Sequence, residues 1–574
     1  MPDTTRVNVN GNGAAQHTYD AIVIGSGISG GWAAKELCER GMQTLVLERG
    51  RNIEHIKDYP TMNTPAWEFA HHGQVSREQL QANPYISKAA GYDEATQHFF
   101  VKDADHPYVQ EKPFEWIRGY QVGGKSLIWG RACARWSEYD FTAPARFGYA
   151  VDWPVRYADM APWYSHVEQF IGVCGTKEGI ETMPDGEFLP AYELNCVEQH
   201  LKDTLWKKFG RYYVSGRWAH VTEPNDIQKK QGRQCLNRNQ CMRGCPFSGY
   251  FSSVTSTLPW AHETGNLTVQ PNSVVHSIIY DEGKGKATGV RVIDAHTKTA
   301  TEYFAKIIFV NASALNTNLI LLNSTSGRFP NGLGNDSGLL GKYVCHHNYR
   351  ASLGGDINGY LDKIYHETKP AECIIPNFRN VKKQDTDFLG GYVIFSGAYR
   401  RKLSETDVSS TIGADFKEAI SQPGGWGAYM YIQGETIPRE TNHVRLSADK
   451  KDQWGIPLLV TSVGYDDNTD KMVKDFLEQG QEMMEAAGFK NIYTNVNEWA
   501  PGLDIHEMGG VRMGRDPKTS LLNGWNQLHH CQNVFVTDGA CMTSTGNQSP
   551  SILYMAFTAR AANHAVDELK KGNL

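Results

Sequence analysis

A glycine-rich turn near the N-terminus constrains the fold of this chain more than any other feature. Residues 19–25 (YDAIVIG) form a short apolar run with β-branched side chains, which predicts a buried parallel strand. Residues 29–40 place apolar side chains on one helical face, and Gly41 is positioned to end that helix. Residues 44–47 predict a second strand, so the chain opens with a β-α-β unit.

The turn between this strand and helix, GSGISG, has the G-x-G-x-x-G spacing of a dinucleotide-binding loop. Gly25 allows the tight turn, Gly27 lets the backbone approach a pyrophosphate, and Gly30 lets the helix pack on the strand. Ile28 and Ser29 complete the turn, and the unpaired amide groups of the helix N-terminus attract phosphate charge.

An acidic residue follows at the position where such proteins bind a ribose. Glu48 ends the second strand and can accept hydrogen bonds from ribose hydroxyls. Glu48 and Arg49 precede a glycine, as at the strand end of many FAD proteins. Residues 332–338 (GLGNDSG) have the wrong spacing for a second motif, so NAD is not expected as a second substrate.

Length and charge exclude several classes of protein. At 574 residues the chain is too long for one simple core, so two domains are expected. The net charge is −6 with both signs mixed, which gives no indication of nucleic-acid binding. No run of eighteen apolar residues predicts a membrane span, and the polar N-terminus predicts no secretory signal. The protein is therefore expected in the cytoplasm, or exported with a partner that carries the signal.

Short strand patterns continue along the chain. Residues 266–293, 306–311 and 534–538 predict strands, and residues 470–487 and 552–570 predict helices. Residues 385–465 predict an antiparallel sheet separate from the β-α-β core, and residues 50–115 a long excursion. These patterns predict an α/β fold with a discontinuous Rossmann-like domain and an inserted α+β domain on an antiparallel sheet.

Two further segments carry a family resemblance. Residues 119–130 (GYQVGGKSLIWG), and HEMGGVRMG at 506–514 followed by VFVTDGACMTSTGNQSPS, resemble the glucose–methanol–choline (GMC) oxidoreductases. This resemblance implies non-covalent FAD, because Ile128 occupies the place where pyranose 2-oxidases carry a flavin-linked histidine. The implied division is a disordered segment 1–18, an FAD-binding domain of 19–155, 230–340 and 500–574, and a substrate-binding domain of 156–229 and 341–499.

The resemblance also implies the site residues. His506 is the expected base that removes the hydroxyl proton, because imidazole titrates near working pH. Asn547 is the expected second member of the catalytic pair, where an amide supports developing alkoxide charge. The resemblance adds further expected FAD-binding residues, which are Gly123, Gly124, Ser126, Val275, Asp538, Gly539, Asn547 and Ser549.

One strand is a candidate wall of a sugar site. Tyr429, Tyr431, Gln433 and Glu435 alternate onto one strand face, where rings stack on sugars and polar groups bind hydroxyls. An ordinary solvated sheet face is the equal alternative. The adjacent histidine pairs 71–72, 346–347 and 529–530 fit no metal spacing and are interpreted as structural.

Three of the eleven cysteines lie together. Cys235, Cys241 and Cys245 have the spacing C-x5-C-x3-C, and nearby arginines are expected to lower the thiol pKa. The pattern is similar to one that holds a 3Fe–4S cluster in sugar dehydrogenase large subunits. Zinc with a distant fourth ligand, or three reduced thiols in a loop, are the alternatives.

Such a cluster implies a dehydrogenase that passes single electrons to a partner. Within the family the likeness is to pyranose 2-oxidase and to large subunits of the glucoside 3-dehydrogenase and gluconate 2-dehydrogenase kinds. The implied partners are a sugar or glycoside substrate, a small subunit with a twin-arginine export signal, and a cytochrome c acceptor. The implied location is the periplasm, and a sugar oxidase is the alternative activity.

Overall fold

A computed structural model of the protein describes residues 17–365, 369–401, 412–421 and 424–574. The terminal segment predicted to be disordered lies outside these residues except for its last two positions. The α-helices of the described residues are α1 (Ile28–Glu39), α2 (Arg77–Ala82), α3 (Glu138–Phe147), α4 (Tyr157–Ile171), α5 (Cys196–Phe209), α6 (Asp226–Lys230), α7 (Thr257–Glu263), α8 (Ala314–Asn323), α9 (Ala414–Ser421), α10 (Asp467–Ala486) and α11 (Ser551–Lys570).

The strands are divided among several sheets. They are β1 (Thr18–Ile24), β2 (Thr44–Leu47), β3 (Val109–Gln110), β4 (Val173–Cys174), β5 (Phe188–Leu189), β6 (Val214–Ser215), β7 (Leu267–Gln270), β8 (Ser273–Asp281), β9 (Lys286–Asp294), β10 (Ala300–Val310), β11 (Lys342–Cys345), β12 (Ala351–Ile357), β13 (Cys373–Ile375), β14 (Tyr392–Arg400), β15 (Trp426–Gly434), β16 (His443–Lys451), β17 (Pro457–Ser462), β18 (Lys490–Val496), β19 (Met508–Gly510), β20 (Gln527–Leu528) and β21 (Cys531–Val536).

The central sheet confirms the Rossmann-like prediction. Its order is β20-β21-β10-β1-β2-β7, and the pairs from β21 to β7 are parallel. The opening unit β1-α1-β2 falls within one residue of its predicted bounds. A β8–β9 hairpin extends the sheet from β10 in antiparallel pairing. The carboxyl ends of the parallel strands therefore share one edge, where such folds bind ligands.

The region predicted as one antiparallel sheet contributes to two sheets. Strands β14 and β15 belong to a six-stranded sheet of order β18-β12-β15-β14-β13-β6, covered by α10 and α5. Strands β16 and β17 instead join a five-stranded sheet of order β19-β11-β16-β17-β3. The single-sheet prediction was wrong because pairing partners come from distant segments, which strand periodicity does not reveal. Residues 402–411 and 422–423 of this region lie outside the described residues.

Helix α4 packs against the C-terminal helix α11 and so lies on the Rossmann side of the molecule. The predicted domain boundaries, which put residues 156–229 with the substrate domain, stay a prediction. Within the described ranges, no helix is long and apolar enough to cross a membrane.

Candidate active site

The glycine-rich turn has the geometry that the sequence predicts. Gly25 has a φ of +96°, and a Cβ there would lie 2.4 Å from the carbonyl oxygen of Asn311. A Cβ on Gly30 would lie 1.9 Å from the carbonyl oxygen of Gly25, so these two positions require glycine. A Cβ on Gly27 would meet nothing within 4 Å. That open space lies above a helix N-terminus, where a pyrophosphate fits.

Glu48 fixes the turn as well as facing the cavity. Its Oε1 accepts a hydrogen bond from the Gly50 amide at 2.9 Å, and its Oε2 accepts one from the Ser26 amide at 3.1 Å. Burial raises the pKa of this carboxyl. Arg49 lies between the rings of Tyr120 and Trp454, which positions its guanidinium at the cavity edge.

A second loop closes over the turn. A Cβ on Gly124 would approach the Cα of Gly27 to 3.3 Å, so the two loops touch. Gly123 has a φ of +92°, and its carbonyl oxygen accepts a hydrogen bond from the Ser126 hydroxyl. Beside them Lys125 pairs with Glu507, with 3.0 Å between Nζ and Oε2. This ion pair was not predicted, because its partners lie far apart in the sequence.

The loops border a cavity of about 800 Å³, at the upper end of the usual size for ligand pockets. Most of the predicted FAD-binding residues line it, which are Gly25, Gly27, Ile28, Ser29, Glu48, Arg49, Gly124, Ser126, Val275, Asp538, Gly539 and Ser549. Three of the predicted residues do not form part of the cavity wall, which are Gly30, Gly123 and Asn547. Ile128 also lines the cavity and offers no atom for a covalent link to flavin.

Asp538 lies at the carboxyl end of β21, on the same sheet edge. Its Oδ2 accepts a hydrogen bond from the Thr317 hydroxyl at 2.6 Å, and its Oδ1 accepts one from the Ala540 amide at 3.0 Å. Burial raises the pKa of this carboxyl to about 6. The glycine turn, Glu48 and Asp538 thus meet around one space, as a dinucleotide requires.

His506 lines the same cavity as the nucleotide turn. Its Nδ1 lies 2.8 Å from Nδ1 of His347, and its ring packs edge-on against Tyr349. Burial, with the charge of Lys125, holds the pKa of His506 well below its usual range. The imidazole is therefore neutral at neutral pH, which is the state a base requires. His347 belongs to a pair interpreted as structural, and the structure places it in contact with His506.

Asn547 is held behind the wall rather than on it. Its amide Nδ2 donates to Asp140 Oδ1 at 3.0 Å and points toward Glu435 Oε1 at 3.5 Å. Its Oδ1 is buried without a hydrogen-bond partner among the described residues. The structure thus brings Asn547 near the site but does not place it on the cavity wall with His506. Its catalytic role stays a prediction.

The candidate sugar-binding strand divides into two halves. Tyr429 and Tyr431 line the cavity, whereas Gln433 and Glu435 are buried behind it. Gln433 donates from Nε2 to the Asn547 carbonyl at 2.7 Å, and Glu435 accepts from the Tyr149 hydroxyl at 3.0 Å. The two polar residues therefore position the wall instead of forming it.

The part of the cavity wall that contains Tyr429 and Tyr431 also contains a carboxylate that was not predicted from the sequence. Glu372 accepts hydrogen bonds from the Tyr429 hydroxyl at 2.8 Å and the Tyr431 hydroxyl at 2.6 Å. Burial raises the pKa of this carboxyl. Tyr431 stacks on Phe395 with ring centroids 5.3 Å apart. No local pattern marks Glu372, since it reaches the site only through the pairing of β13, β14 and β15.

Asp504 was also missed, although it stands two residues before His506. Its Oδ2 accepts a hydrogen bond from the backbone amide of His347 at 2.7 Å. Its Oδ1 is buried without a partner in the part of the chain that the structure describes. Burial raises the pKa of this carboxyl to about 7. An acid beside the expected base was the available signal.

The three clustered cysteines border a second, smaller cavity. Cys235, Cys241 and Cys245 are free, partly exposed thiols, and His220 lies on the same cavity. Asn239 and Pro370 line both cavities, so the thiols are neighbours of the larger site. No group of three or more His, Cys, Asp or Glu side chains within the described ranges has metal-site geometry.

The charge of Arg238 lowers the pKa of Cys245 as expected, but the expected net lowering of the thiol pKa was wrong at Cys241 and Cys245. The three arginines of the segment donate hydrogen bonds to backbone carbonyls, which are those of Ile171 for Arg233, Met62 for Arg238 and Thr64 for Arg243. Burial raises the pKa of Cys241 and Cys245, and its effect exceeds that of the neighbouring guanidinium charges. Burial therefore favours the protonated form of the Cys241 and Cys245 thiols.

The chain is similar to known proteins in both sequence and fold. Two family models, both described as GMC oxidoreductase, match residues 220–348 and 438–558. The fold is similar to that of formate oxidase from Aspergillus oryzae RIB40, with a TM-score of 0.62 at 12% identity, covering 97% of this chain and 100% of that one.

Characterised relatives align along nearly the whole chain. They include 2-methyl-1,2-propanediol dehydrogenase of Mycolicibacterium austroafricanum (26% identical, 95% of this chain, 94% of the relative). Fructose dehydrogenase large subunit of Gluconobacter japonicus is 24% identical, over 96% and 98%. Paromamine 6'-oxidase of Streptomyces fradiae is 25% identical, over 96% and 92%. The chain belongs to the GMC oxidoreductases and is an FAD-dependent enzyme that oxidises CH–OH groups.

Proposed function

We propose that this enzyme is a dehydrogenase of a secondary hydroxyl of a sugar or glycoside, with glucoside 3-dehydrogenation to a 3-keto product favoured. The observation that carries the proposal is the part of the cavity wall formed by Glu372, Tyr429, Tyr431 and Phe395. Aromatic faces stack on the C–H face of a sugar ring, and a carboxylate accepts hydrogen bonds from two hydroxyls at once.

The charges at this wall suit a neutral polyol. Each Glu372 oxygen accepts one tyrosine hydroxyl and has lone pairs left for a substrate hydroxyl. The positive charge of Arg131, which also lines the cavity, opposes the effect of burial on this carboxyl. A carboxylate substrate such as gluconate would meet repulsion from Glu372, which makes gluconate the less favoured alternative.

The chain's own residues then perform the acid–base part of the reaction. The wall holds the hydroxyl toward His506, whose neutral imidazole takes the hydroxyl proton. FAD, held by the glycine turn, Glu48 and Asp538, supplies the hydride acceptor. Asn547 is proposed to support the alkoxide charge through a modest shift of its segment.

We also propose a 3Fe–4S cluster on Cys235, Cys241 and Cys245. Three thiols on one small cavity match the donor number of such a cluster, and that cavity shares Asn239 and Pro370 with the FAD cavity. A partner cytochrome and periplasmic export with a small subunit complete the proposal. The name of the fructose dehydrogenase relative, a large subunit, supports the existence of a partner.

A sugar oxidase is the second candidate, since another relative is named an oxidase. Visible spectra of the pure holoenzyme, recorded anaerobically with methyl glucosides, glucose, fructose and gluconate, test the substrate. Bleaching of the flavin by a glucoside at micromolar to millimolar concentrations supports the proposal. No bleaching by any sugar, with bleaching by a simple diol, overturns it. Peroxide formed in air as fast as an artificial dye is reduced shows the oxidase instead.

The cluster has its own test. Low-temperature EPR of anaerobically purified enzyme should show an iron–sulfur signal that Cys241→Ser abolishes. Cys196→Ser, at another partly exposed free thiol, is the matched control and should keep the signal. Stoichiometric zinc and no iron in the wild-type protein would contradict the cluster.

A further inference from the structure

The two histidines meet because of how two strands pair. Strands β11 and β19 are antiparallel, with Cys345 opposite Met508. His347 follows β11 by two residues and His506 precedes β19 by two, so the same pairing places them face to face. Their rings lie 5.0 Å apart at 82°, and their Nδ1 atoms are 2.8 Å apart. A backbone ladder, rather than a flexible loop, thus sets this contact.

The hydrogen bonds fix where the protons lie. Nε2 of His347 is 3.2 Å from the carbonyl oxygen of Thr545 and 3.0 Å from that of Gly546. Carbonyl oxygens only accept hydrogen bonds, so Nε2 of His347 carries a proton. Burial lowers the pKa of His347 to about 4, so the ring is neutral at neutral pH and its Nδ1 bears a lone pair.

The tautomer of the base follows from its neighbour. Because Nδ1 of His347 accepts, Nδ1 of His506 must donate the hydrogen bond between them. A neutral imidazole carries one proton, so Nε2 of His506 bears the lone pair. His506 lines the cavity, and no hydrogen bond of this nitrogen to another described residue occupies it.

We propose that His347 is a positioning residue that holds His506 in the tautomer with Nε2 free to act as the base, and that shares the proton charge formed during turnover. This inference rests on the proposed role of His506 as base. Asp504, whose carboxylate holds the backbone amide of His347, fixes the same segment. The role is analogous to that of the acid that orients histidine in a catalytic triad.

An alcohol substrate loses two hydrogens in this reaction, one as a proton and one as hydride. The hydroxyl proton passes to Nε2 of His506. A bound FAD would accept the carbinol hydrogen with its electron pair as hydride, so that the substrate becomes a carbonyl product. The positive charge on His506 is relieved when its Nδ1 proton moves toward His347. The carbonyl groups of Thr545 and Gly546 then face the charged ring of His347 and stabilise it.

Matched substitutions separate this role from mere packing. His347→Leu removes the acceptor, and we expect the rate of anaerobic flavin reduction to fall about 100-fold or more, with KM changed less than about threefold. His347→Asn puts an amide oxygen near the old Nδ1 position, keeps the tautomer, and should recover most of the rate. His346→Leu is the control, since His346 is equally buried and adjacent, and its ring bonds to the backbone carbonyl of His347 rather than to the His506 ring.

Two further readouts make the result decisive. Reoxidation of chemically reduced holoenzyme by a dye should be unchanged in all three variants, because that half-reaction needs no base. Nitrogen-15 NMR of histidine-labelled holoenzyme should show an unprotonated Nε2 and a protonated Nδ1 that disappear together in His506→Asn. This measurement needs no substrate, so it stands even if the true substrate is another alcohol.

Several outcomes would overturn the proposal. A protonated Nε2 on His506 in the resting enzyme excludes the tautomer. Equal flavin-reduction rates in His347→Leu and wild type exclude the positioning role. A loss in His346→Leu as large as that in His347→Leu, or slow reoxidation in His347→Leu, assigns the effect to packing. Failure of every sugar to reduce the flavin refutes the proposed function instead, and the NMR result then still decides this inference.

Discussion

The nucleotide side and the substrate side of the cavity are built on different principles. The nucleotide side is built on one local motif, in which a Cβ on Gly25 or Gly30 would lie within 2.5 Å of a carbonyl oxygen. Gly124 and Asp538 join this motif from other segments. The substrate side uses side chains from segments hundreds of residues apart, such as Glu372 and His506. We therefore expect cofactor binding to depend mainly on local conformation, whereas substrate chemistry depends on strand pairing.

Adding one methyl group on the nucleotide side is expected to have the largest effect on FAD binding and stability. Gly30→Ala places a Cβ 1.9 Å from the Gly25 carbonyl oxygen, so helix and strand must separate. We expect a flavin-free protein with a much lower melting temperature, measured by FAD absorbance and thermal unfolding. Gly27→Ala meets no protein atom, so it should weaken FAD binding while the flavin-free protein keeps its melting temperature.

Gly425→Ala, at a glycine whose Cβ also meets nothing within 4 Å, is the control and should retain FAD. If Gly30→Ala binds FAD normally, the nucleotide side is not fixed by backbone contacts, and the comparison fails.

On the substrate side the largest effect is expected at the base. His506→Asn should slow flavin reduction by about 10²- to 10⁴-fold, the usual contribution of general base catalysis. FAD content should be unchanged, because the substitution leaves the glycine turn and Glu48 intact. Stopped-flow absorbance under anaerobic conditions measures both. A variant that reduces its flavin at the wild-type rate would show that another group removes the proton.

Substrate recognition should respond less strongly and in a different constant. Glu372→Gln keeps the size of the side chain but weakens charge-assisted hydrogen bonds, so we expect KM to rise about tenfold with kcat within about threefold. Steady-state kinetics with a dye acceptor measure the change. The wall model is contradicted if kcat falls while KM stays constant.

The smallest expected effect concerns stability and pH. Burial and the charge of Asp140 raise the pKa of Glu435 to about 7 from an unfolded value of 4.5. The neutral carboxyl therefore favours the folded state fully below pH 4.5, and this stability is lost as pH rises toward 7. Glu435→Gln cannot ionise, so its melting temperature should exceed that of wild type by a few degrees at pH 8 but not at pH 4.5.

Thermal unfolding at the two pH values makes the measurement, and Glu440→Gln, at an exposed carboxylate, is its control. A Glu435 variant that is less stable at pH 8 would mean that the hydrogen bond from Tyr149 stabilises the ionised carboxylate enough to offset its burial.

The sequence predicted the conformation of the glycine turn because its determinants are local, and the FAD-binding roles of these residues stay predictions. Gly25, Gly27, Gly30 and Glu48 lie within one motif whose spacing alone places them, and β21 brings Asp538 to the same edge. The substrate side was predicted only where a family motif marks it, as at His506. Strand register decides the rest, and register is not encoded in the spacing of single residues.

Gln433 and Glu435 show how this limit works. Their alternation with Tyr429 and Tyr431 predicts a strand with these side chains on one face. The strand is present as β15, which ends at Gly434, one residue before Glu435. The strand, however, leaves the cavity after Tyr431, so the last two residues meet Asn547 and Tyr149 instead. The contact between His347 and His506 was not predicted from the sequence, since the two residues lie 159 positions apart.

The pairing of β11 with β19 has a practical consequence for changing what this enzyme accepts. Both histidines and the carbonyls of Thr545 and Gly546 form one unit, and Gly546 is packed against the buried ring of Trp136. The wall strands belong to a separate sheet. Protein engineers can therefore diversify the wall by random mutagenesis and leave the proton-handling unit as a fixed module.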